Sequence, residues 1–407
     1  MYRDLTKCWK VLIINILYQK GDKMHNSQLI ENAVKHFEQL LKNQLSRVEA
    51  MERTEGAIDF TAIENIVIGL CPGDGIGPII FETAKKVLEH LLAKDIETGK
   101  IELKNIEGLT LENRLSCNQT VPDDVLTAIK NCHVFLKGPT TTPEAGSGMT
   151  NLESANVTIR KELDLYSNIR PVKVPEKNID WIFFRENTEG EYALGSQGIE
   201  IAEKLAFDFK VTTDTGTKRI AKAAFEYAEK NGKTELAVVT KANIMKKTDG
   251  KFLMICREIA KSYPKINVSE WYVDIMSANL INPDIQSKLQ VFLLPNLYGD
   301  IITDEAAQIQ GGIGTAGSAN TGDKYAMFEA IHGSAPRMIS EGLGAYANPS
   351  SILRATEMLL RHIGKITEAD KLGNALDISD REKAVVVTGT KAGATCKEFT
   401  DYIIDKL

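Results

Sequence analysis

Short apolar segments that end in polar residues alternate along this chain with amphipathic helical patterns. The apolar segments lie at residues 65–70, 133–139, 181–187, 235–241 and 290–296, and the helical patterns lie at residues 79–92, 217–230, 249–262 and 350–364. Buried strands that alternate with helices predict an α/β fold with much parallel sheet. Ligands of such sheets bind beyond the carboxyl ends of the strands, so the polar residues there are the first functional candidates.

Composition and charge narrow the class of protein. A chain of 407 residues is long enough for a two-domain enzyme with its own hydrophobic core. The formal charge of −6 argues against a general nucleic-acid binder. Six scattered cysteines without a C-x-x-C pair suggest no zinc site and predict reduced thiols in a cytoplasmic protein. The apolar run at residues 11–18 is shorter than the about 20 residues that span a bilayer, so no membrane association is expected.

The N-terminal part contains an amphipathic helical pattern at residues 27–52. Ile30, Val34, Phe37 and Leu41 recur there at spacings of three and four. Packing of this helix on its own domain is favoured over recruitment of a partner. Met24 is an alternative start, because residues 20–23 can be encoded by a purine-rich ribosome-binding sequence; residues 1–23 would then be a misread leader without function.

Two glycine clusters are candidates for turns or for close approach to a ligand. Gly73, Gly75 and Gly77 follow the first apolar segment, but the dinucleotide fingerprint G-x-G-x-x-G requires a further glycine where Pro78 stands. An ordinary Rossmann site is therefore not expected, and a tight strand-to-helix turn is the favoured interpretation. The second cluster, GGIGTAGSANTGD at 311–323, could let the backbone approach a cofactor.

Three arginines are more informative. Arg160 and Arg170 lie in NVTIRKELDLYSNIRP, and Arg185 follows the apolar core of WIFFREN. The planar guanidinium matches carboxylates and stays charged, so three of them near strand ends would suit a small acid with several negative charges. The alternative is that each arginine pairs with a surface carboxylate.

Two aspartates and two possible proton donors complete the candidates. Asp300 and Asp304 are spaced i,i+4, which places them on one face of a helix and suits Mg²⁺ or Mn²⁺; a solvated helix start is the alternative. Tyr192 closes RENTEGEY, and Lys241 ends an apolar strand. Either side chain could transfer a proton if its pKa is tuned, although each could also be an ordinary interface residue.

Taken together, these strings resemble the decarboxylating β-hydroxyacid dehydrogenases, the isocitrate and isopropylmalate dehydrogenase family. The matching strings run in family order: GDGIGP (73–78), KGPTTTP (137–143), SANVTIRKELDLYSNIRP (154–171), RENTEGEY (185–192), TKANIMKKTDG (240–250), NLYGDIITD (296–304), GGIGTAGSANTG (311–322) and FEAIHGSAP (328–336). The resemblance implies an NAD(P)-dependent decarboxylating dehydrogenase with a non-Rossmann, two-domain α/β fold.

The resemblance also implies how the chain is divided. Residues 65–165 and 311–407 would form a large domain with the cofactor site, and residues 166–310 a small domain with an intersubunit clasp near 193–213. Residues 1–64 fall outside as an N-terminal helical extension. Two such subunits would form a homodimer with shared active sites.

Carried over residue by residue, the resemblance assigns roles to the candidates. The substrate carboxylates would be bound by Arg160, Arg170 and Arg185. Mg²⁺ or Mn²⁺ would be held by Asp300 and Asp304 together with the partner subunit's Asp274. The proton-transfer pair would be Tyr192 and the partner subunit's Lys241.

Ser154 and Asn156 indicate which acid is bound. Isocitrate enzymes of the family hold the γ-carboxylate with Ser-x-Asn at this position, whereas isopropylmalate enzymes have apolar residues there. An isopropyl group would leave both donors unpaired, so a tricarboxylate, isocitrate of the tricarboxylic acid cycle, is expected. Ala155 replaces the usual Leu, and the loop at 143–154 is longer than usual, so homoisocitrate stays open alongside isopropylmalate. A silent regulatory subunit is the other alternative, which the intact candidate residues oppose.

The coenzyme is predicted less directly. The resemblance assigns its site to Thr141, His332, Gly333, Ser334, Ala335 and Asn348. NAD-preferring relatives have Asp directly after the HGSAP proline and NADP-preferring relatives often have Lys-Tyr, whereas this chain has Arg337-Met338. Arg337 would suit a 2′-phosphate, and Glu341 would suit the ribose of NAD. The tail TGTKAGATCKEF (388–399) is more NAD-like, although Lys391 is a candidate phosphate contact, so NAD is expected in preference to NADP.

Overall fold

The computed structural model describes residues 23–52, 58–143, 148, 150, 152–202, 204–312 and 316–407. The chain forms two compact units. One combines the N-terminal helix with Leu194–Phe209, and the other contains the remaining described residues. Residues 1–22 of the possible leader at 1–23 lie outside the described part, as do residues 313–315 of the second glycine cluster.

Strands and helices alternate along most of the chain. The strands are β1 (Ile66–Cys71), β2 (Ile101–Asn105), β3 (Val134–Lys137), β4 (Ser167–Val174), β5 (Ile179–Glu186), β6 (Ile199–Ile201), β7 (Leu205–Phe207), β8 (Glu235–Thr240), β9 (Asn267–Tyr272), β10 (Val291–Leu294), β11 (Gly317–Thr321) and β12 (Ala326–Ala330). The longer helices are α1 (Lys23–Met51), α2 (Gly77–Leu91), α7 (Asp214–Lys230), α8 (Thr248–Ala260), α11 (Asn296–Gln310), α13 (Ser350–His362), α14 (Ile366–Glu382) and α15 (Cys396–Lys406). The shorter ones are α3 (Ala93–Glu97), α4 (Leu111–Cys117), α5 (Asp123–Lys130), α6 (Ala155–Glu162), α9 (Val273–Leu280), α10 (Pro283–Gln286) and α12 (Pro336–Ser340), with 3₁₀ turns at Phe60–Ala62, Pro175–Lys177 and Gly344–Tyr346.

In the described residues, ten strands form one sheet in the order β2-β1-β3-β12-β11-β4-β5-β10-β8-β9. The two flanks are parallel: β2, β1, β3 and β12 on one side, and β5, β10, β8 and β9 on the other. The pairs β12–β11, β11–β4 and β4–β5 in the centre are antiparallel. The predicted α/β class with much parallel sheet is confirmed, and the centre makes the sheet a mixed one.

The apolar strands are buried on both faces, as expected of parallel sheet covered by helices. Trp181 and Phe183 of β5 pack into one hydrophobic cluster, and Ile182 and Phe184 pack into another. Successive side chains of a strand point to opposite faces, so β5 contributes to both layers. A third, larger cluster joins β1, β3 and β12 to α2, α13, α14 and α15.

The sheet geometry brings polar residues together at strand ends. In the parallel pair β5–β10, Arg185 lies opposite Leu294, and Asn296 follows two residues later at the start of α11. The carboxyl ends of two neighbouring parallel strands therefore present Arg185 and the first turn of α11 at one place.

The first glycine cluster forms the tight turn that the sequence predicts. Gly73 has φ +74° and Gly75 has φ +59°, conformations that are costly for other residues. A Cβ at Gly73 would lie 2.2 Å from the carbonyl oxygen of Pro139, and one at Gly75 would lie 2.0 Å from that of Ser334. The turn therefore touches the backbone of two other loops.

The second glycine cluster is partly sheet. Residues 317–321 form β11, whose side chains are largely buried. A Cβ at Gly317 would lie 2.4 Å from the amide nitrogen of Ala355, so the small residue permits close helix–strand packing.

The N-terminal helix packs on the segment with which it shares a unit. The rings of Phe37 and Phe209 stack with their centroids 5.2 Å apart, and His36 Nε2 lies 2.9 Å from the carbonyl oxygen of Gln197. β6 and β7 form a separate two-stranded antiparallel sheet in this unit. None of the helices in the described part of the chain has the length and apolar character needed to cross a bilayer.

Candidate active site

Arginines from the sheet meet aspartates from α11. Arg185 Nη1 is hydrogen-bonded to Asp300 Oδ1, and Arg170 Nη1 lies 3.0 Å from Asp304 Oδ1. Arg170 Nη2 is 3.8 Å from Asp300 Oδ1. The i,i+4 spacing on a helix is confirmed, and both carboxylates face the guanidinium groups of β4 and β5.

Local packing fixes Arg185 under the first turns of α11. Asn296 Oδ1 accepts hydrogen bonds from Arg185 Nε at 3.1 Å and from Nη2 at 2.7 Å. A Cβ at Gly299 would lie 2.4 Å from Arg185 Cγ, so only glycine lets the helix pass this close. The side chain of Arg185 is consequently held in one direction, with Nη1 aimed at Asp300.

The electrostatics of this cluster favour ionised groups on both sides. Burial by itself would raise the pKa of Asp300, but Arg185, Arg170, the Tyr192 hydrogen bond and Arg160 outweigh it, so the pKa lies below its usual value. Burial lowers the pKa of Arg185 to about 10, which leaves the guanidinium charged at neutral pH. Three arginines thus act on one carboxylate.

Tyr192 joins the same carboxylate. Its hydroxyl donates a hydrogen bond of 3.1 Å to Asp300 Oδ2, and the Arg185 guanidinium lies 5.7 Å from the centre of its ring. Burial and the charge of Asp300 raise the pKa of Tyr192, so the phenol stays protonated through the neutral range. A protonated hydroxyl beside a binding site can act as a proton donor.

Arg160 belongs to a buried charge cluster that was not predicted from the sequence. Arg160 Nη2 lies 2.9 Å from Glu329 Oε1, and the fully buried Lys137 has its Nζ 3.5 Å from Glu329 Oε2. Burial would raise the pKa of Glu329, but Lys137 and Arg160 reverse this and lower it to about 2. The sequence contained one signal for this cluster: Lys137 in HVFLK and Glu329 in MFEA are charged residues in otherwise apolar strings. A buried charge requires a partner of opposite charge.

The two residues assigned to the γ-carboxylate lie at the start of α6. Ser154 occupies the N-cap position, but its side chain makes no capping hydrogen bond. Asn156 Oδ1 accepts a hydrogen bond of 3.2 Å from Thr140 Oγ1. α6 also carries Arg160, so one helix orients all three side chains.

The residues assigned to the coenzyme are partly brought together. Thr141 Oγ1 lies 2.7 Å from Ser334 Oγ. Ala335 has φ +44° and lies directly before α12, and a Cβ at Gly333 would meet no atom within 4 Å. Asn348 instead accepts a hydrogen bond from the backbone of Ser350 at the start of α13.

His332 has one ring nitrogen without a partner. Nδ1 lies 3.0 Å from the carbonyl oxygen of Gly333, whereas the buried Nε2 has no hydrogen-bond partner among the described residues. Burial lowers the pKa of His332, so the neutral ring is favoured. A neutral imidazole with an unpaired nitrogen can accept or donate one bond to a ligand.

Lys241 and Asp274 pair with each other. Lys241 follows β8, and its Nζ lies 2.5 Å from Asp274 Oδ1 at the start of α9. This hydrogen bond lowers the pKa of the exposed Asp274. Across the described part of a single chain, no group of three or more His, Cys, Asp or Glu side chains could hold a metal ion. One chain therefore offers Asp300 and Asp304 without a third carboxylate beside them.

Comparisons with known proteins show the family to which the chain belongs. Residues 67–403 match the family model of isocitrate/isopropylmalate dehydrogenases. The probable alpha subunit of mitochondrial isocitrate dehydrogenase (NAD) from Drosophila melanogaster is 36% identical over 84% of this chain and 87% of that protein. A regulatory subunit of mitochondrial isocitrate dehydrogenase (NAD) from Dictyostelium discoideum is 36% identical over 84% of this chain and 91% of that protein.

A bacterial relative and a solved structure show the same similarity. The isocitrate dehydrogenase (NADP) of Rickettsia prowazekii is 39% identical over 76% of this chain and 62% of that protein. The crystal structure of isocitrate dehydrogenase from Methylococcus capsulatus is 33% identical, with a TM-score of 0.74 over 84% of this chain and 99% of that one. This chain belongs to the isocitrate/isopropylmalate dehydrogenase family.

Proposed function

We propose that the protein oxidatively decarboxylates isocitrate to 2-oxoglutarate and CO₂, with reduction of NAD⁺ or NADP⁺. The observation that carries this proposal is that the guanidinium groups of Arg170 and Arg185 both contact Asp300, and that the charge of Arg160 also acts on this carboxylate. Three guanidinium groups whose charges act on one carboxylate suit a substrate with several carboxylates. The names of the relatives support isocitrate as that substrate.

The residues of the chain have distinct tasks in this reaction. The substrate carboxylates are bound and oriented by Arg160, Arg170 and Arg185. The hydroxyl of Ser154, which makes no helix-capping hydrogen bond, binds the γ-carboxylate. A lysine, the partner subunit's Lys241, takes the proton of the 2-hydroxyl while C2 loses hydride. The β-carboxylate then leaves as CO₂, the electron pair of the broken C–C bond passes to the electron-withdrawing 2-oxo group, and Tyr192 protonates the carbon left behind. A bound nicotinamide supplies the hydride acceptor.

Asp300 and Asp304 fit a divalent cation. Their carboxylates are hard oxygen ligands on one helix face, and Asp304 remains more than half exposed despite its contact with Arg170. Because one chain offers two such ligands, the third would be the partner subunit's Asp274. Mg²⁺ or Mn²⁺, when bound, supplies positive charge that lowers the pKa of the substrate hydroxyl.

A homodimer is supported by the surface around Lys241 and Asp274. Ile244, Ile275 and Ile301 are 66%, 46% and 55% exposed in the single chain. In the chain, Ile244 lies three residues after Lys241, Ile275 directly follows Asp274 and Ile301 directly follows Asp300, so residues assigned to a shared site have exposed apolar neighbours in the sequence. Exposed apolar surface of this kind marks an interface, and a closed two-fold arrangement would complete both sites at once.

The coenzyme preference is proposed as NAD. Arg337 Nε lies 2.6 Å from Glu341 Oε1 across one turn. The guanidinium that would bind a 2′-phosphate is thus already paired with a carboxylate, which also repels that phosphate. A kcat/KM at least tenfold higher with NADP⁺ than with NAD⁺ would overturn this preference.

Other interpretations of the site remain distinct alternatives. 3-Isopropylmalate or homoisocitrate would be the substrate if Ser154 and Asn156 did not recognise a γ-carboxylate. A regulatory role is the other alternative, since one relative is named as a regulatory subunit, but the chain retains Tyr192, Lys241 and Asp300.

The free thiols support the cytoplasm as the compartment, although some relatives are named as mitochondrial. These thiols are Cys71, Cys117, Cys132, Cys256 and Cys396.

Product analysis tests the proposed reaction. Purified protein with Mg²⁺, NAD⁺ and isocitrate should release CO₂ and 2-oxoglutarate in equal amounts with the reduced coenzyme. Arg160→Met should lose this activity through weaker substrate binding. Reduced coenzyme without CO₂ would contradict decarboxylation, and no turnover of isocitrate would contradict the substrate.

A further inference from the structure

Arg114 is a buried arginine whose side-chain hydrogen bonds go to backbone carbonyl groups. It lies on α4 and has no exposed surface. Nε donates to the carbonyl oxygen of Thr120 at 2.7 Å, Nη1 to that of Thr141 at 2.8 Å, and Nη2 to that of Glu153 at 3.2 Å. Burial of a cation whose hydrogen-bond partners are neutral costs free energy. The contacts with three carbonyls therefore indicate that Arg114 is there to hold the backbone at these positions.

Two of these carbonyls belong to the two ends of one chain segment. Thr141 lies shortly after β3, and Glu153 directly precedes Ser154 at the start of α6. Arg114 therefore joins the point where the segment leaves the sheet to the point where it enters α6. Both ends carry residues assigned to ligand binding.

Asp74 binds the backbone of Thr141 as well, through its N–H group. Its Oδ2 accepts the Thr141 N–H at 2.8 Å, and its Oδ1 accepts the Leu111 N–H at 2.8 Å at the first residue of α4. The N–H and the C=O of Thr141 are thus each bonded to a charged side chain. Asp74 also anchors the helix that carries Arg114, so the two side chains act as one clamp.

We propose that Arg114, supported by Asp74, is a positioning residue that holds Thr141 and Ser154 at their places in the binding site. This rests on the proposed function of that site. Thr141 contacts Ser334, and Ser154 begins the helix that carries Arg160. The clamp thus sets where α6, with the donors for the γ-carboxylate and Arg160, stands relative to Arg170 and Arg185 of the sheet.

The expected signature is weak substrate binding with intact chemistry. Tyr192 and Asp300 lie on other elements, so their geometry does not depend on Arg114. The rigid fork of arginine reaches three separated carbonyls, whereas lysine is a single point donor on a shorter reach. Arg114→Lys should therefore keep part of the stability of the fold and lose the alignment of both segment ends.

Arg114→Lys and Arg114→Met test the proposal, with Arg354→Met as the matched control. Arg354 is a largely buried arginine on α13 that pairs with Asp377 and Asp380. Both Arg114 variants should raise KM for isocitrate by roughly tenfold or more while kcat changes less than about threefold. Hydrogen exchange of peptides that contain Thr141 should become faster. Arg354→Met should lower the melting temperature and leave KM and this exchange unchanged.

The outcomes separate this proposal from the proposed function. Unchanged KM and unchanged exchange at Thr141 in a folded Arg114→Lys protein would overturn it, as would a lower melting temperature without a change in KM. If Arg114→Met does not fold, Arg114→Lys decides. If the unmodified protein fails to turn over isocitrate, the proposed function fails, and exchange at Thr141 alone decides whether Arg114 holds the segment.

Discussion

The hydroxyl of Tyr192 donates a hydrogen bond of 3.1 Å to Asp300 Oδ2, while the other oxygen of Asp300 is bonded to Arg185. One carboxylate therefore links the assigned proton donor, an arginine assigned to substrate binding and the assigned metal site. If Tyr192 protonates the substrate as proposed, its hydroxyl leaves this bond, and a cation that binds Asp300 would favour that release. Binding and proton delivery would then be coupled through Asp300.

Tyr192→Phe removes the hydroxyl that is assigned as proton donor and leaves the ring in place. We expect kcat to fall by about 10²- to 10⁴-fold, the usual contribution of a positioned general acid, while KM changes little. Tyr402→Phe is the matched control, because the Tyr402 hydroxyl bonds Glu382 on the surface at 2.8 Å. Comparable activity of the two variants in steady-state assays would contradict the role of Tyr192.

Glu329→Gln tests the buried cluster with Lys137. The folded-state pKa of Glu329 is about 2, below its ordinary value of 4.5, so its stabilising contribution is complete above pH 4.5 and is lost as the pH falls towards 2. At pH 7 the variant should be less stable by about 3–5 kcal/mol, because the buried Lys137 keeps no counter-charge.

The pH dependence provides the check on this cluster. The gap between the unmodified protein and Glu329→Gln in the free energy of urea unfolding should be smaller at pH 3 than at pH 7. Glu357→Gln, which alters a partly exposed ion pair with Arg354, should show a smaller penalty at pH 7. An equal gap at both pH values would show that Glu329 does not act through its charge.

Asp304→Asn tests the metal site. Loss of one carboxylate ligand should raise the Mg²⁺ concentration for half-maximal activity by roughly tenfold or more, and chelation with EDTA should abolish turnover. Asp377→Asn is the control, since Asp377 is also an exposed aspartate paired with an arginine. Full activity after exhaustive chelation would exclude this metal site.

A mixed dimer tests the shared site. Lys241→Met should abolish hydride transfer, and Arg160→Ala should weaken substrate binding, each in an otherwise folded protein. If the partner subunit's Lys241 serves each site, one site of the mixed dimer collects both defects and the other collects neither. Co-refolding the two inactive variants should restore part of the activity; a mixture as inactive as its parents, despite subunit exchange, would contradict the assignment.

The sequence predicted the parts of the fold whose pattern is local. The strands at 181–187 and 290–296 and the i,i+4 pair on α11 appear as expected, because burial periodicity and helix spacing are set within a few residues. β4 and β11, which give the sheet its antiparallel centre, were not predicted. Their strings contain Pro171 or small polar residues, and pairing between distant strands leaves no local signal.

The same limit applies to the site. The arginines and aspartates stood out because their strings resemble a known family. Lys137 and Glu329 lie in two of the matching strings but did not stand out, and Arg114 lies outside those strings. Their roles depend on contacts made only in the folded chain: a buried ion pair in one case and three carbonyls in the other. Only the folded chain shows that these charges meet.

The central claim is that this site selects a tricarboxylate, and the direct measurement is kcat/KM for isocitrate against 3-isopropylmalate and homoisocitrate with Mg²⁺ and each coenzyme. Ser154 and Asn156 would be left unpaired by an isopropyl group, and such a mismatch costs a factor of roughly 10⁴. The predicted result is a preference for isocitrate over both other acids. Faster turnover of 3-isopropylmalate than of isocitrate would contradict the account.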